Sequence, residues 1–157
     1  MQSSIAGGRR YILSLLKLRQ RSEKEIRDKL KARNYSPELI TGLVDYFKGL
    51  GYINDREFAA AWINSRLTKP LGFKAIEIEL RQKGICDEII AEFIREKKAS
   101  VSEAGIVKEL VIKRWNKLQE KKEPLVKARV KLYAYLLRRG FESEIVSEAV
   151  NELTRGY

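Results

Sequence analysis

Basic side chains at helical spacing are the residues of this chain best placed to do chemistry, and that chemistry is phosphate binding. Lys24, Arg27 and Lys31 recur at i, i+3 and i+7, which puts them on one face of a helix. Lys127, Lys131 and Arg138 form a second stripe, set apart from Val126, Val130, Tyr133 and Leu137, which read as the apolar side of that helix. Lys113 and Lys117 add a third, and Arg9, Arg10, Arg19 and Arg21 bracket the first helix. Such stripes suit phosphates, which fix register and affinity without reading base sequence. The plain alternative is a solvated face that keeps the protein in solution. Arg19, Arg66 and Arg114 stand at one repeating position near a helix C-terminus. There they either compensate the helix dipole or hold one anionic contact each.

Other chemistries lack their parts. The chain has no histidine, which removes the usual general base, most metal sites and every Ser-His-Asp or Cys-His arrangement. Cys86, near a helix start, has no catalytic partner in view and reads as a small, partly buried residue. Glu77 and Glu79 lie two apart and point to different helix faces, a poor geometry for a shared magnesium. Gly7-Gly8-Arg9-Arg10 is far from a phosphate-binding glycine loop. These absences argue against an enzyme, and no metal or cofactor is expected.

The positioning elements are helices. Of 157 residues, 44% are apolar and 34% charged, a balance that allows modest cores. The net charge of +11 and pI near 9.8 favour a polyanionic partner. A single cysteine fits a reducing compartment, and neither the start nor the run Tyr11 to Leu18 reads as a leader or a span, so a cytoplasmic, non-membrane protein is expected. Gly51 reads as a helix stop and Asp55 as the N-cap of the next helix, with Phe58, Trp62 and Ile63 on its apolar face. Ser22, Ser36-Pro37 and Ser102 read as further helix starts, and Asn34, Gly84 and Gly140 as stops.

The same pattern is written three times, at a period of roughly 50 residues. Leu30, Leu80 and Leu136 correspond. So do Asn34, Gly84 and Gly140, then Tyr35, Ile85 and Phe141, then Glu38, Glu88 and Glu144. In the first helices Tyr11 matches Phe58 and Ile106, and Leu15 matches Trp62 and Leu110. The expected fold is therefore all-α: an elongated tandem array of three three-helix repeats, about nine helices, spanning residues 1–53, 54–101 and 102–157. Over residues 1–53, 54–103 and 104–157, basic and acidic side chains number 11 and 5, 9 and 9, and 12 and 7. The positive excess thus lies in the two terminal repeats.

Gly51-Tyr52-Ile53-Asn54-Asp55, followed by Phe58-Ala59, Trp62, Arg66, Gly72, Ile76, Leu80 and Lys83-Gly84-Ile85, resembles the signature of the bacterial RecX regulatory proteins. The resemblance is densest over residues 50–85. It implies a monomeric negative regulator of the RecA recombinase. Such a protein lies in the groove of the RecA–single-stranded-DNA filament, inhibits ATPase, strand exchange and co-protease activity, and promotes disassembly. Its motif residues Gly51, Tyr52, Asp55, Phe58, Trp62 and Gly84 would be mainly structural, with Trp62 an interface anchor if exposed. Single-stranded DNA would be met mainly through phosphates by the basic residues named above. Two other readings stand beside it: a stand-alone basic helical DNA-binding protein, and a protein-binding scaffold whose charge is incidental.

Overall fold

Nine helices and no strands make up residues 4–155, the part of the chain described by the computed structural model. They are α1 (Ile5–Leu18), α2 (Glu23–Lys31), α3 (Pro37–Gly49), α4 (Asp55–Leu67), α5 (Phe73–Gln82), α6 (Asp87–Ser100), α7 (Glu103–Glu120), α8 (Leu125–Arg138) and α9 (Ser143–Thr154). Their ends are written locally. Ser22 and Glu25 form a reciprocal capping box on α2; Ser36 caps α3 ahead of Pro37, and Ser102 caps α7. Asn34, Gly51, Gly84 and Gly140 hold φ of 60°, 77°, 79° and 82°. In each case the following residue, Tyr35, Tyr52, Ile85 or Phe141, donates its N–H back to Leu30, Phe47, Leu80 or Leu136. That bond satisfies a carbonyl the helix end would leave orphaned, and a left-handed residue is what allows it.

Burial follows the threefold pattern. Leu30, Leu80 and Leu136 are wholly buried, as are Ile40, Ile90 and Val146 to within a few per cent. Leu39, Ile89 and Ile145 are half-buried at all three copies. Ile12, Leu15, Ile26, Leu30, Val44 and Phe47 belong to one core. Val107, Val111, Trp115, Leu132, Leu136 and Phe141 belong to another.

Several local expectations are corrected. Helix α1 begins at Ile5, earlier than the polar start suggested, and carries Gly7 and Gly8 inside it. Gly8 packs closely there: a Cβ would press on the Leu43 side chain, which would have to shift. Asp55 is not the N-cap of α4. Asn54 is, its Oδ1 accepting from Arg56 and Glu57 N–H. On α8 the buried side is Ala128, Leu132 and Leu136, while Val126 and Val130 are 74% and 64% exposed. The helix carries two apolar stripes, and the one continuing the Leu30/Leu80/Leu136 register takes the core.

Two compact units are formed, the described residues of Met1–Trp62 with Leu80–Ile90, and of Ile63–Glu79 with Ala91–Tyr157. Each contains a joint between repeats, and the two joints use matching positions. In the first unit Asp55 Oδ1 accepts the Glu23 N–H at 2.8 Å, capping α2 from another repeat. Ser22 Oγ donates to the Lys83 carbonyl at 2.7 Å, and Gly84 lies against Lys24. In the second unit Glu103 Oε1 accepts the Phe73 N–H at 2.7 Å. Gly72 N–H donates to the Arg139 carbonyl at 2.8 Å, and Gly140 lies against Ala75. Asp55 corresponds to Glu103, Lys83 to Arg139 and Gly84 to Gly140. One helix N-terminus is thus capped by an acid from the next repeat's first helix. Burial pushes both carboxyls above their ordinary values, and the N–H each accepts pulls the other way.

Glu25 ties the first joint together. Its side chain takes two bonds from Arg19, at 2.9 and 3.0 Å, one from Lys83 at 2.6 Å and one from Ser22 N–H. Burial pushes the carboxyl up, but the hydrogen bonds from Arg19 and Lys83 outweigh it and hold it at about 2 instead of 4.5. A depressed acid adds stability that is complete above pH 4.5 and lost as pH falls towards about 2. Glu25→Gln should cost about 1–2 kcal/mol at pH 7 and flatten the acid limb of stability over that window. Denaturant melts at a series of pH values check it; parallel acid limbs for the two proteins would refute the assignment.

Candidate polyanion-binding surface

The basic residues singled out by spacing fall into two groups. The first is spent inside the fold. Arg19 is bound by Glu25 and Arg66 by Glu79 at 2.6 Å, so the repeated arginine mostly serves internal acids. Arg114, the third of the set, lies well inside α7 instead of near its end, because α7 is longer than α1 and α4. Its Nε is buried without an acceptor, and its guanidinium lies over Tyr135 at 5.0 Å. Tyr135 occupies the position of Glu79, so the same arginine meets a ring where its counterpart meets a carboxylate. Arg21 is half-buried, its Nε also without an acceptor. Arg27 reaches Glu23 at 2.8 Å and Lys24 reaches Asp28 at 2.7 Å, both along α2. Lys131 reaches Glu123 at 2.8 Å and by that hydrogen bond holds its carboxyl below its ordinary value.

The second group is open. Arg10, Lys31, Lys113, Lys117 and Arg138 are exposed and take part in none of the salt bridges described; Lys127 is exposed too, in the field of Glu123. Arg9 is exposed too, with its guanidinium 4.0 Å from the Tyr46 ring centre. Arg33 lies in the same way over Tyr11, at 3.7 Å, a pairing that spacing along one helix does not reveal. Lys113 and Lys117 are one turn apart on α7, and Lys127 and Lys131 one turn apart on α8. Apart from Lys131, these are cations in solvent, able to meet phosphates or acidic side chains without first breaking a salt bridge.

The motif residues divide likewise. Gly51 and Gly84 make helix stops, Asp55 caps α2, and Phe58 is buried. Trp62 is half-buried, stacked on Phe58 at 5.6 Å with Lys83 Nζ 5.0 Å from its ring, and so is no free anchor. Tyr52, at 57%, is the exposed aromatic of the motif. Cys86, expected to be partly buried, is exposed. Among the described residues no group of acids and cysteine could hold a metal ion, and no helix is long and apolar enough to cross a membrane.

Strand-free tandem three-helix repeats, joined by acid-capped helix ends and carrying open cations, define a class of helical repeat protein with a basic surface. Family models bring this to a particular group. Models of the first, second and third three-helix domains of RecX match residues 9–47, 54–94 and 105–150. The Regulatory protein RecX of Haemophilus influenzae is 32% identical over 143 residues, covering 90% of this chain and 91% of that protein. The Regulatory protein RecX of Bacillus licheniformis is 34% identical over 148 residues, covering 92% of this chain. A crystal structure of RecX from Lactobacillus salivarius matches with a TM-score of 0.80 at 25% identity, covering 95% of this chain and 96% of that one. This chain belongs to the RecX family. It spans 54% of the length of the Bacillus protein and 65% of that of a Clostridium beijerinckii relative.

Proposed function

We propose that this chain is a non-enzymatic negative regulator of the RecA recombinase, acting as a monomer in the cytoplasm. It lies in the groove of the RecA–single-stranded-DNA filament, inhibits ATPase, strand exchange and co-protease activity, and promotes filament disassembly. Family membership across all three repeats is the observation that carries this reading. The open cations of the first and third repeats support it, since a polyanionic filament is what they suit. The three repeats read as residues 1–53, 54–101 and 102–157. The candidate contacts are Arg9, Arg10, Lys31, Lys113, Lys117, Lys127 and Arg138; Arg19, Arg21, Lys24, Arg27, Arg66, Arg114 and Lys131 act through the fold or the rim.

Adding the protein at well below one copy per RecA should slow single-stranded-DNA-dependent ATP hydrolysis by preformed filaments. An unchanged rate, on filaments that bind ATP and DNA, would sink the reading. The alternative of a DNA-binding protein acting alone is favoured by the same open cations. It predicts tight binding to bare oligonucleotide and no effect on the filament beyond competition for DNA.

A further inference from the structure

The outer face of α8 is apolar where its counterpart in the first repeat is charged. Aligned on Leu30 and Leu136, residues Lys24, Arg27, Asp28 and Lys31 of α2 correspond to Val130, Tyr133, Ala134 and Leu137 of α8. The cleft they line is the same one. Arg27 reaches Thr41 Oγ1 across the first, and Ser147 Oγ donates to the Tyr133 hydroxyl at 3.2 Å across the third, at the corresponding positions. In the first repeat this face meets Asp55 and Gly84 of the following repeat. In the third it forms an open groove of about 410 Å³ between α8 and α9, lined also by Val150 and by Arg129, which is bonded to Asn151.

Two features say what can fill it. Val126, Val130 and Leu137 recur at i, i+4 and i+11, and Lys127, Lys131 and Arg138 repeat that spacing one residue later. A basic stripe therefore runs along one edge of the apolar one. A further repeat of this kind cannot dock as Asp55 does. The N–H equivalent to that of Glu23 belongs to Arg129, which lies inside α8, because α8 begins a turn earlier, at Leu125. A second copy meeting face to face would set two basic stripes together. Bare DNA would find one tyrosine, already hydrogen-bonded, and an aliphatic lining where stacking rings are needed.

We infer that the α8–α9 groove receives an amphipathic helix of a partner protein, its apolar side on Val126, Val130, Tyr133 and Leu137 and its acidic flank against Lys127 and Arg138, Lys131 between them being held by Glu123. A groove between two helices with aliphatic and aromatic lining is the usual seat for such a segment. This goes beyond the regulatory reading and does not require it.

The test uses the whole chain and a fluorescein-labelled amphipathic peptide of α8's length, with leucines at helical spacing and glutamates flanking them. Anisotropy should show saturable binding, weakened about 10-fold or more by Val130→Asp. Val126→Asp, at a still more exposed position, should act in the same direction and carries the test if the first variant unfolds. Lys127→Glu with Arg138→Glu should weaken binding and reduce its salt dependence. Equal binding of a scrambled peptide, or of one with lysines for glutamates, would overturn the assignment. So would an oligo(dT) affinity that Val130→Asp abolishes, or a sedimenting dimer that it dissolves.

Discussion

Gly140→Ala should destabilise this protein by about 3 kcal/mol, while Gly51→Ala at nearly the same backbone angle should cost about 1 kcal/mol. Both residues sit at helix stops, with φ of 82° and 77°. Both substitutions force an L residue into left-handed backbone, which accounts for the shared cost. They differ in what a Cβ would meet. At Gly51 nothing lies within 4 Å. At Gly140 a Cβ would fall 2.4 Å from the Ala75 nitrogen and 2.5 Å from its Cβ, and Gly72 approaches the Gly140 carbonyl from the same side. Backbone cannot swing away as a side-chain tip can, so the joint held by Glu103 and Phe73 must open. Gly84→Ala should fall between, since its neighbour is the Lys24 side chain. Urea melts of the three variants measure the order. Equal losses at Gly51 and Gly140 would show that the close approach in the second unit contributes nothing.

Reversing Arg10, Lys31, Lys113 and Lys117 together to glutamate should weaken binding to oligo(dT) by about 100-fold at low salt and reduce the slope of log K against log salt by about 3. These four cations are exposed and have no acid to release. Each one on a phosphate frees a condensed counterion, and for single strands that contributes roughly 0.7 to the slope. Arg19→Glu with Arg66→Glu should do the reverse: loss of stability, because a carboxylate then faces Glu25 and another faces Glu79 where each had an arginine, with the salt slope unchanged. Anisotropy titrations across a salt series separate the outcomes. An unaltered slope in the fourfold variant would remove these residues from the phosphate-contact set, and a lowered slope in the arginine pair would put the internal arginines back into it.

The two predictions draw on different depths of information. That Lys113 and Lys117 share a face is legible from their spacing, and so is the stripe on α2. That Lys24 and Arg27 are bound to Asp28 and Glu23 was within reach as well, because both pairs are i, i+4 neighbours on one helix. The grip of Arg66 on Glu79, or of Arg139 on the Pro70 carbonyl, was not, because those partners are brought together only when helices pack. The groove on α8 shows the same limit. Its residues differ in kind from those of α2 at matching positions, which the alignment of repeats reveals. Its exposure depends on which of two apolar stripes faces α7 and α9.

By itself the amino-acid sequence determined where this chain stops its helices and starts most of them, that it does so three times, and which positions form the small cores outside α8. These are matters of short range: a serine caps its own helix, and a left-handed residue closes the turn just before it. Tertiary structure alone decided that Asp55 and Glu103 cap helices of the repeat before them, which cations stay open to solvent, and which side of α8 is left bare. Those outcomes turn on groups tens of residues apart in the chain, whose meeting no local spacing encodes.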